Sequence, residues 1–161
     1  MLHSVGCPQP KASVFINSWN SPSYNNACVH GFIDGNDGTV YQTLPWNHRG
    51  WHCGSGSKGS GNNTHIGVEM CEPACIKYTG GSSFTCSDKA TARAVAKRTY
   101  EAAVELFAML CKQYNLNPTA DGVIISTGRD TAGALLLTTG TRSICGMDSA
   151  WVTRWMDSVK Q

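Results

Sequence analysis

The feature that most constrains this chain is one run, CVHGFIDGNDGTVYQTLPWNHRGWHCGSGSKGSGNNTHIGVEMCEP, from Cys28 to Pro73. Two alternating segments, VHGFI and TVYQTL, flank a turn from Asp34 to Gly38 rich in Asp, Asn and Gly. Those residues tolerate the positive φ of a tight turn, so the pair predicts a β-hairpin. A polar excursion follows, carrying Trp46, His48, Trp51 and His52. The run returns through HIGVEMC, whose alternation predicts a strand bearing Glu69, on one face with Gly67 and Cys71. Two loop histidines beside a strand carboxylate suit metal or acid–base chemistry.

Around this run the chain alternates strands with helices. MLHSVG predicts the end of a buried strand with His3 at its exit, and Pro8 and Pro10 precede a helix marked by Ala12, Phe15, Ile16 and Trp19. After Pro73, KYTGGSSFTCS is expected to be a loop. Ser87 or Asp88 then caps a long helix running to about Tyr114, with Ala92, Val95, Ala96, Ala103, Val104, Phe107, Leu110 and Cys111 as its apolar stripe. GVIIS (Gly122 to Ser126) predicts a short buried strand, and a short helix is expected near Trp151 to Val159. The pattern predicts an α/β fold, a mixed central β-sheet flanked by helices. At 161 residues it is expected to form a single domain, 1–161.

Composition excludes some functions. A net charge of +2 gives no argument for nucleic acid, although a weakly basic surface suits an anionic wall. No leading apolar run or membrane-length segment stands in the sequence, so the chain is expected to be made in the cytoplasm without a signal peptide and to have no membrane partner. Eight cysteines are many, but a chain of this length builds a core without staples. They read chiefly as small buried hydrophobes, with room for one bridge among Cys71, Cys75 and Cys86.

Three linked pieces, VHGFID, DGTVYQTLPWNHRGWHCG and NNTHIGVEMCEP, in that order and spacing, resemble the zinc-dependent amidases that cut between N-acetylmuramic acid and L-alanine in peptidoglycan. That family includes phage lysins and animal peptidoglycan recognition proteins, and the phage-lysin type is the version suggested here. The resemblance covers residues 1–126. It implies an amidase and peptidoglycan-recognition-like fold, a zinc cofactor, peptidoglycan or a muropeptide as partner, a monomer, and action at the bacterial cell wall. Similar amidases carry a segment before the first strand, so the amino end is expected to be shortened.

The resemblance also implies roles for single residues. His3 matches the first zinc ligand, where a lone surface histidine is the plainer alternative. Glu69 matches the catalytic glutamate that moves the proton from water to the leaving amine, against an ion-paired strand residue. Trp51 and His52 match a pair that lines the substrate groove, and His30 is expected to face the same cleft or to serve a hydrogen-bonded structural role. His48 and His65 have weaker claims.

From Thr127 the pattern fails. Similar amidases place a second zinc-binding His directly after a GVIIS-like strand and an Asp ligand further on, whereas residues 127–161 contain no His. The neighbouring reading frame supplies both. One C inserted before the codon of Thr127 turns it into a His codon, and the existing codons can then be read as HREGHRRGIASNHGDPEHLW. A single-nucleotide deletion is therefore expected to have replaced the native end, leaving an atypical tail. With two zinc ligands missing, activity of this chain is expected to be impaired. The alternative function is a non-catalytic peptidoglycan-binding module, which would keep the groove without the chemistry.

Overall fold

The computed structural model describes residues 1–56, 59–81 and 83–116. The GVIIS strand, the tail from Thr127 with its ALLL segment and Cys145, and the helix expected near Trp151 lie outside those residues.

Its centre is a four-stranded mixed sheet in the order β1-β6-β2-β3. The strands are β1 (Leu2–Ser4), β2 (Gly31–Ile33), β3 (Val40–Gln42) and β6 (Val68–Met70). β6 runs parallel to both β1 and β2, while β2 and β3 form the expected antiparallel hairpin. Two short ribbons complete the strands: β4 (Ser55–Gly56) with β5 (Gly59–Ser60), and β7 (Ile76–Gly80) with β8 (Ser83–Cys86). Helix α1 spans Ala12–Trp19 and α2 spans Lys89–Gln113. The α/β architecture expected from the sequence is the one observed.

Alternation sorts the sheet into two cores. Leu2, Ile33, Val68 and Met70 pack with Ala103, Leu106, Phe107 and Leu110 of α2. On the opposite face Phe32 and Cys71 pack with Ala12 and Phe15 of α1. Glu69 is paired in register with Phe32 on one side and His3 on the other, so it belongs to the α1 face, as Cys71 does. That placement decides where the chemistry sits.

Local signals explain the elements. The hairpin turn needs Gly38 at φ 79°, a conformation side chains resist. Asp34, buried at 8% exposure, organises this turn and also caps α1 from a distance. One of its oxygens accepts from the Ala12 N–H at 2.8 Å, the other from the Asn36 N–H at 2.8 Å. Asp34→Ala is therefore expected to cost roughly 2–4 kcal/mol in urea unfolding, since buried donors lose a charged acceptor. Asp88 caps α2, accepting from the Thr91 N–H at 3.0 Å, and Arg98 ties that helix to the turn through the Gly35 carbonyl at 2.7 Å.

Three expectations are corrected. The segment KYTGGSSFTCS is a hairpin rather than a loop, with Tyr78 opposite Phe84 and Gly81 at φ 53° in the turn. Its aromatic and β-branched residues suit a pleated surface, and Ile76, Tyr78, Phe84 and Cys86 pack on the main core. The bridge among Cys71, Cys75 and Cys86 does not form: all three are free thiols, and Cys71 sits in the α1-side cluster, apart from the other two. On α2, Thr99 and Leu106 are buried beyond the expected stripe.

Candidate active site

The parallel register β1-β6 sets His3 directly beside Glu69. Glu69 lies on a central strand flanked on both sides, so its side chain leaves water without leaving the sheet. Its Oε2 is buried and has no hydrogen-bond partner among the described residues. Burial, with the Glu72 carboxylate nearby as a second cause, pushes the Glu69 carboxyl up to about 8. Burial acts oppositely on His3, whose imidazole is driven down to about 3 and stays neutral.

Glu72, just past β6, is a second buried carboxylate that the sequence reading did not single out; it is 1% exposed. It accepts from the Ser4 hydroxyl, from the Gly6 N–H at 2.9 Å and from the Tyr78 hydroxyl at 2.8 Å. These bonds join the exit of β1, the end of β6 and the β7 strand at one point. Burial raises the Glu72 carboxyl, and the three donors pull it back. A glutamate followed by Pro73 resembles an ordinary strand terminator, and only the tertiary donors reveal its part.

The loop histidines reach this corner to different degrees. His52 comes closest, with Nδ1 3.1 Å from His3 Nε2 and with Nε2 3.1 Å from the His65 carbonyl. Burial pushes its pKa down to about 4. The ring lies over Gly67, where an added Cβ would stand 2.4 Å from it, and beside Gly50, where the gap would be 2.7 Å. Asn62 holds the loop backbone in place, its Oδ1 accepting from the N–H groups of His52 at 2.6 Å and Cys53 at 2.9 Å. Its amide also donates to the Cys53 carbonyl at 2.8 Å. Nothing in the sequence around Asn62 marks this staple, because its burial appears only in the folded chain.

His30 is fully buried and spends both ring nitrogens inside the protein. Nδ1 accepts from the Gly67 N–H at 3.0 Å, so Nε2 carries the proton and donates to the His48 carbonyl at 2.8 Å. Of its two expected roles, this geometry serves the hydrogen-bonded structural one. Trp51 is the reverse: its backbone forms a two-way bridge with Cys28, and its side chain is 56% exposed. The main chain is pinned while the ring is offered to solvent. His48 is exposed, and His65 contributes its carbonyl to His52.

The donor set can be compared with the zinc site that the resemblance implied. Catalytic zinc takes three protein ligands and keeps one position open. The described residues supply His3 and an orphaned carboxylate oxygen, but among the described residues no group of three His, Cys, Asp or Glu could hold a metal ion. By themselves they do not fit a zinc centre. What they do make is a half-buried glutamate whose carboxyl burial pushes upward, set beside His3, which His52 meets in turn.

Comparison with known proteins narrows this arrangement. A stretch of 109 residues is 30% identical to the N-acetylmuramoyl-L-alanine amidase CwlA of Bacillus subtilis, covering 59% of this chain and 38% of that one. A shorter stretch of 38 residues is 55% identical to the amidase XlyA of the same organism, covering 24% and 12% of the two chains. The chain thus spans well under half the length of these relatives. Among solved structures, the Escherichia coli amidase AmiD, in complex with anhydro-N-acetylmuramic acid-L-Ala-D-γ-Glu-L-Lys, aligns with a TM-score of 0.49 and 14% identity, over 73% of this chain and 44% of that one. The model of the N-acetylmuramoyl-L-alanine amidase family matches residues 1–144, past Ser126 and over most of the sequence. With that match, the strand carrying Glu69 and the loop carrying Trp51 and His52 fall within a recognised domain, and the chain belongs to the N-acetylmuramoyl-L-alanine amidase family.

Proposed function

We propose that this domain is a peptidoglycan hydrolase of the phage-lysin type, built to cleave the amide between N-acetylmuramic acid and L-alanine at the bacterial cell wall. The observation that carries the reading is Glu69: a half-buried glutamate whose Oε2 is buried and has no hydrogen-bond partner among the described residues, in register beside His3. A carboxyl pushed up to about 8 changes protonation near neutrality, as a group that takes a proton from water and returns it to a leaving amine must do. Trp51 offers its exposed ring to a sugar face or peptide stem, and His52 braces His3.

Zinc is proposed as the cofactor with His3 as one ligand, because of the family resemblance. The missing ligands belong, on this reading, to a native carboxyl end displaced by a single-nucleotide deletion after Ser126. Hydrolysis by the chain as written is then weak or absent. The groove residues that the resemblance implies, His30, Trp51 and His52, stand before Thr127 in the sequence, which favours a second property, retained muropeptide binding without cleavage.

Product analysis tests the bond assignment. Peptidoglycan digested by a frame-restored chain with added zinc should gain amino-terminal L-alanine and keep its glycan strands intact. New reducing sugar ends, or cuts within the stem peptide, would overturn it. Binding by the chain as written is tested with Trp51→Ala, which should weaken cosedimentation with insoluble peptidoglycan about tenfold, roughly 1.4 kcal/mol. The pinned backbone keeps thermal stability within about 0.5 kcal/mol.

A further inference from the structure

We infer that His52 is a positioning residue that holds His3 in its Nε2–H tautomer, leaving Nδ1 as the ring lone pair that no group among the described residues occupies. The His65 oxygen lies 3.1 Å from His52 Nε2 and can only accept, so that nitrogen carries the hydrogen. A neutral imidazole has one N–H, so His52 Nδ1 is an acceptor. His3 Nε2 stands 3.1 Å from it, and a hydrogen bond there requires the hydrogen on His3. Among the described residues no hydrogen bond joins either ring of this pair to a carboxylate.

The relay is held by structure on every side. The Asn62 side chain fixes the His52 main chain at 2.6 Å, and Gly67 and Gly50 leave the space the ring occupies. His52 therefore cannot rotate away without losing both ring bonds. Its place in the loop, 49 residues from His3, gives the excursion between β3 and β6 a specific task. That task is to choose which nitrogen of His3 meets a ligand. This purpose rests on the proposed amidase reading, but the tautomer itself does not.

The experiment is long-range proton–nitrogen NMR on the chain as written, labelled with nitrogen-15 in histidine, at neutral pH. His3 should show a protonated Nε2 and an unprotonated Nδ1, as should His52 and His30. His52→Leu should turn the His3 pattern into an exchange average of two tautomers, while the His30 pattern reports an intact fold. His52→Asn, whose amide oxygen can stand near the position of Nδ1, should restore the single tautomer. A protonated Nδ1 on His3 in the unsubstituted chain overturns the inference, and so does a His3 pattern unchanged in a folded His52→Leu chain. The unsubstituted spectrum decides the matter even where His52→Leu fails to fold. A frame-restored chain that cuts no amide while His3 keeps the expected tautomer would overturn the amidase reading and leave this assignment standing.

Discussion

Glu69→Gln should make the metal-free chain more stable at high pH and, in the frame-restored chain, remove hydrolysis. Both effects have one cause. Burial holds the folded-state carboxyl near 8, above its ordinary 4.5, so the folded chain keeps a proton that the unfolded chain has released. Stability is then full at low pH, falls as pH rises through that window, and is lowest above 8. Each pKa unit between the two states is worth about 1.4 kcal/mol. With part of the residue in reach of solvent, roughly 3 kcal/mol is expected. Glutamine is neutral and nearly the same shape, so the variant should match the parent in urea unfolding at pH 4 and exceed it by roughly that amount at pH 9. Parallel stability curves would show that the carboxylate is solvated. Loss of the proton carrier should slow amide cleavage by about 10²–10⁴-fold.

Gly67→Ala should be the most damaging single-methyl change among the glycines of this corner. Its Cβ would lie 2.4 Å from two carbons of the His52 ring. The backbone cannot retreat, because the Gly67 N–H donates to His30 Nδ1 and the Gly67 carbonyl accepts from the His30 N–H at 2.8 Å. The ring must move instead, giving up its bonds to His3 and His65. Overpacking of this kind costs about 1–3 kcal/mol and each of the two lost hydrogen bonds about 1 more, so roughly 3–5 kcal/mol is expected by urea titration. Gly54→Ala is the control: a methyl there meets nothing within 4 Å, and no change beyond about 0.5 kcal/mol is expected.

The framework was largely legible in the sequence because its signals are local. VHGFI and TVYQTL around an Asp-Gly turn mark β2 and β3, and Asp88 followed by a 3.6-residue apolar period marks α2. The β7–β8 hairpin was hidden because the run GGSS between Tyr78 and Phe84 carries the composition of a loop, although Gly80 and Ser83 are already paired strand ends. The site was legible in part. Glu69 stood out as a carboxylate in an apolar strand, and Trp51 and His52 as large side chains in a small-residue loop. Nothing local says that His52 meets His3, that Asn62 staples the loop, or that Glu72 gathers Ser4, Gly6 and Tyr78, since each joins segments that only the folded sheet brings together.

On the proposed reading, residues before Ser126 build the substrate side of an amidase whose chemistry waits on the native carboxyl end. Hydrolysis of purified peptidoglycan with added zinc, scored by newly freed alanine amino groups, tests it most directly, with the chain as written beside the frame-restored chain. The account predicts release by the restored chain alone, with the chain as written binding the wall and leaving it uncut. Equal cutting by both chains would contradict the dependence on the displaced end, and cutting by neither would contradict the amidase reading itself.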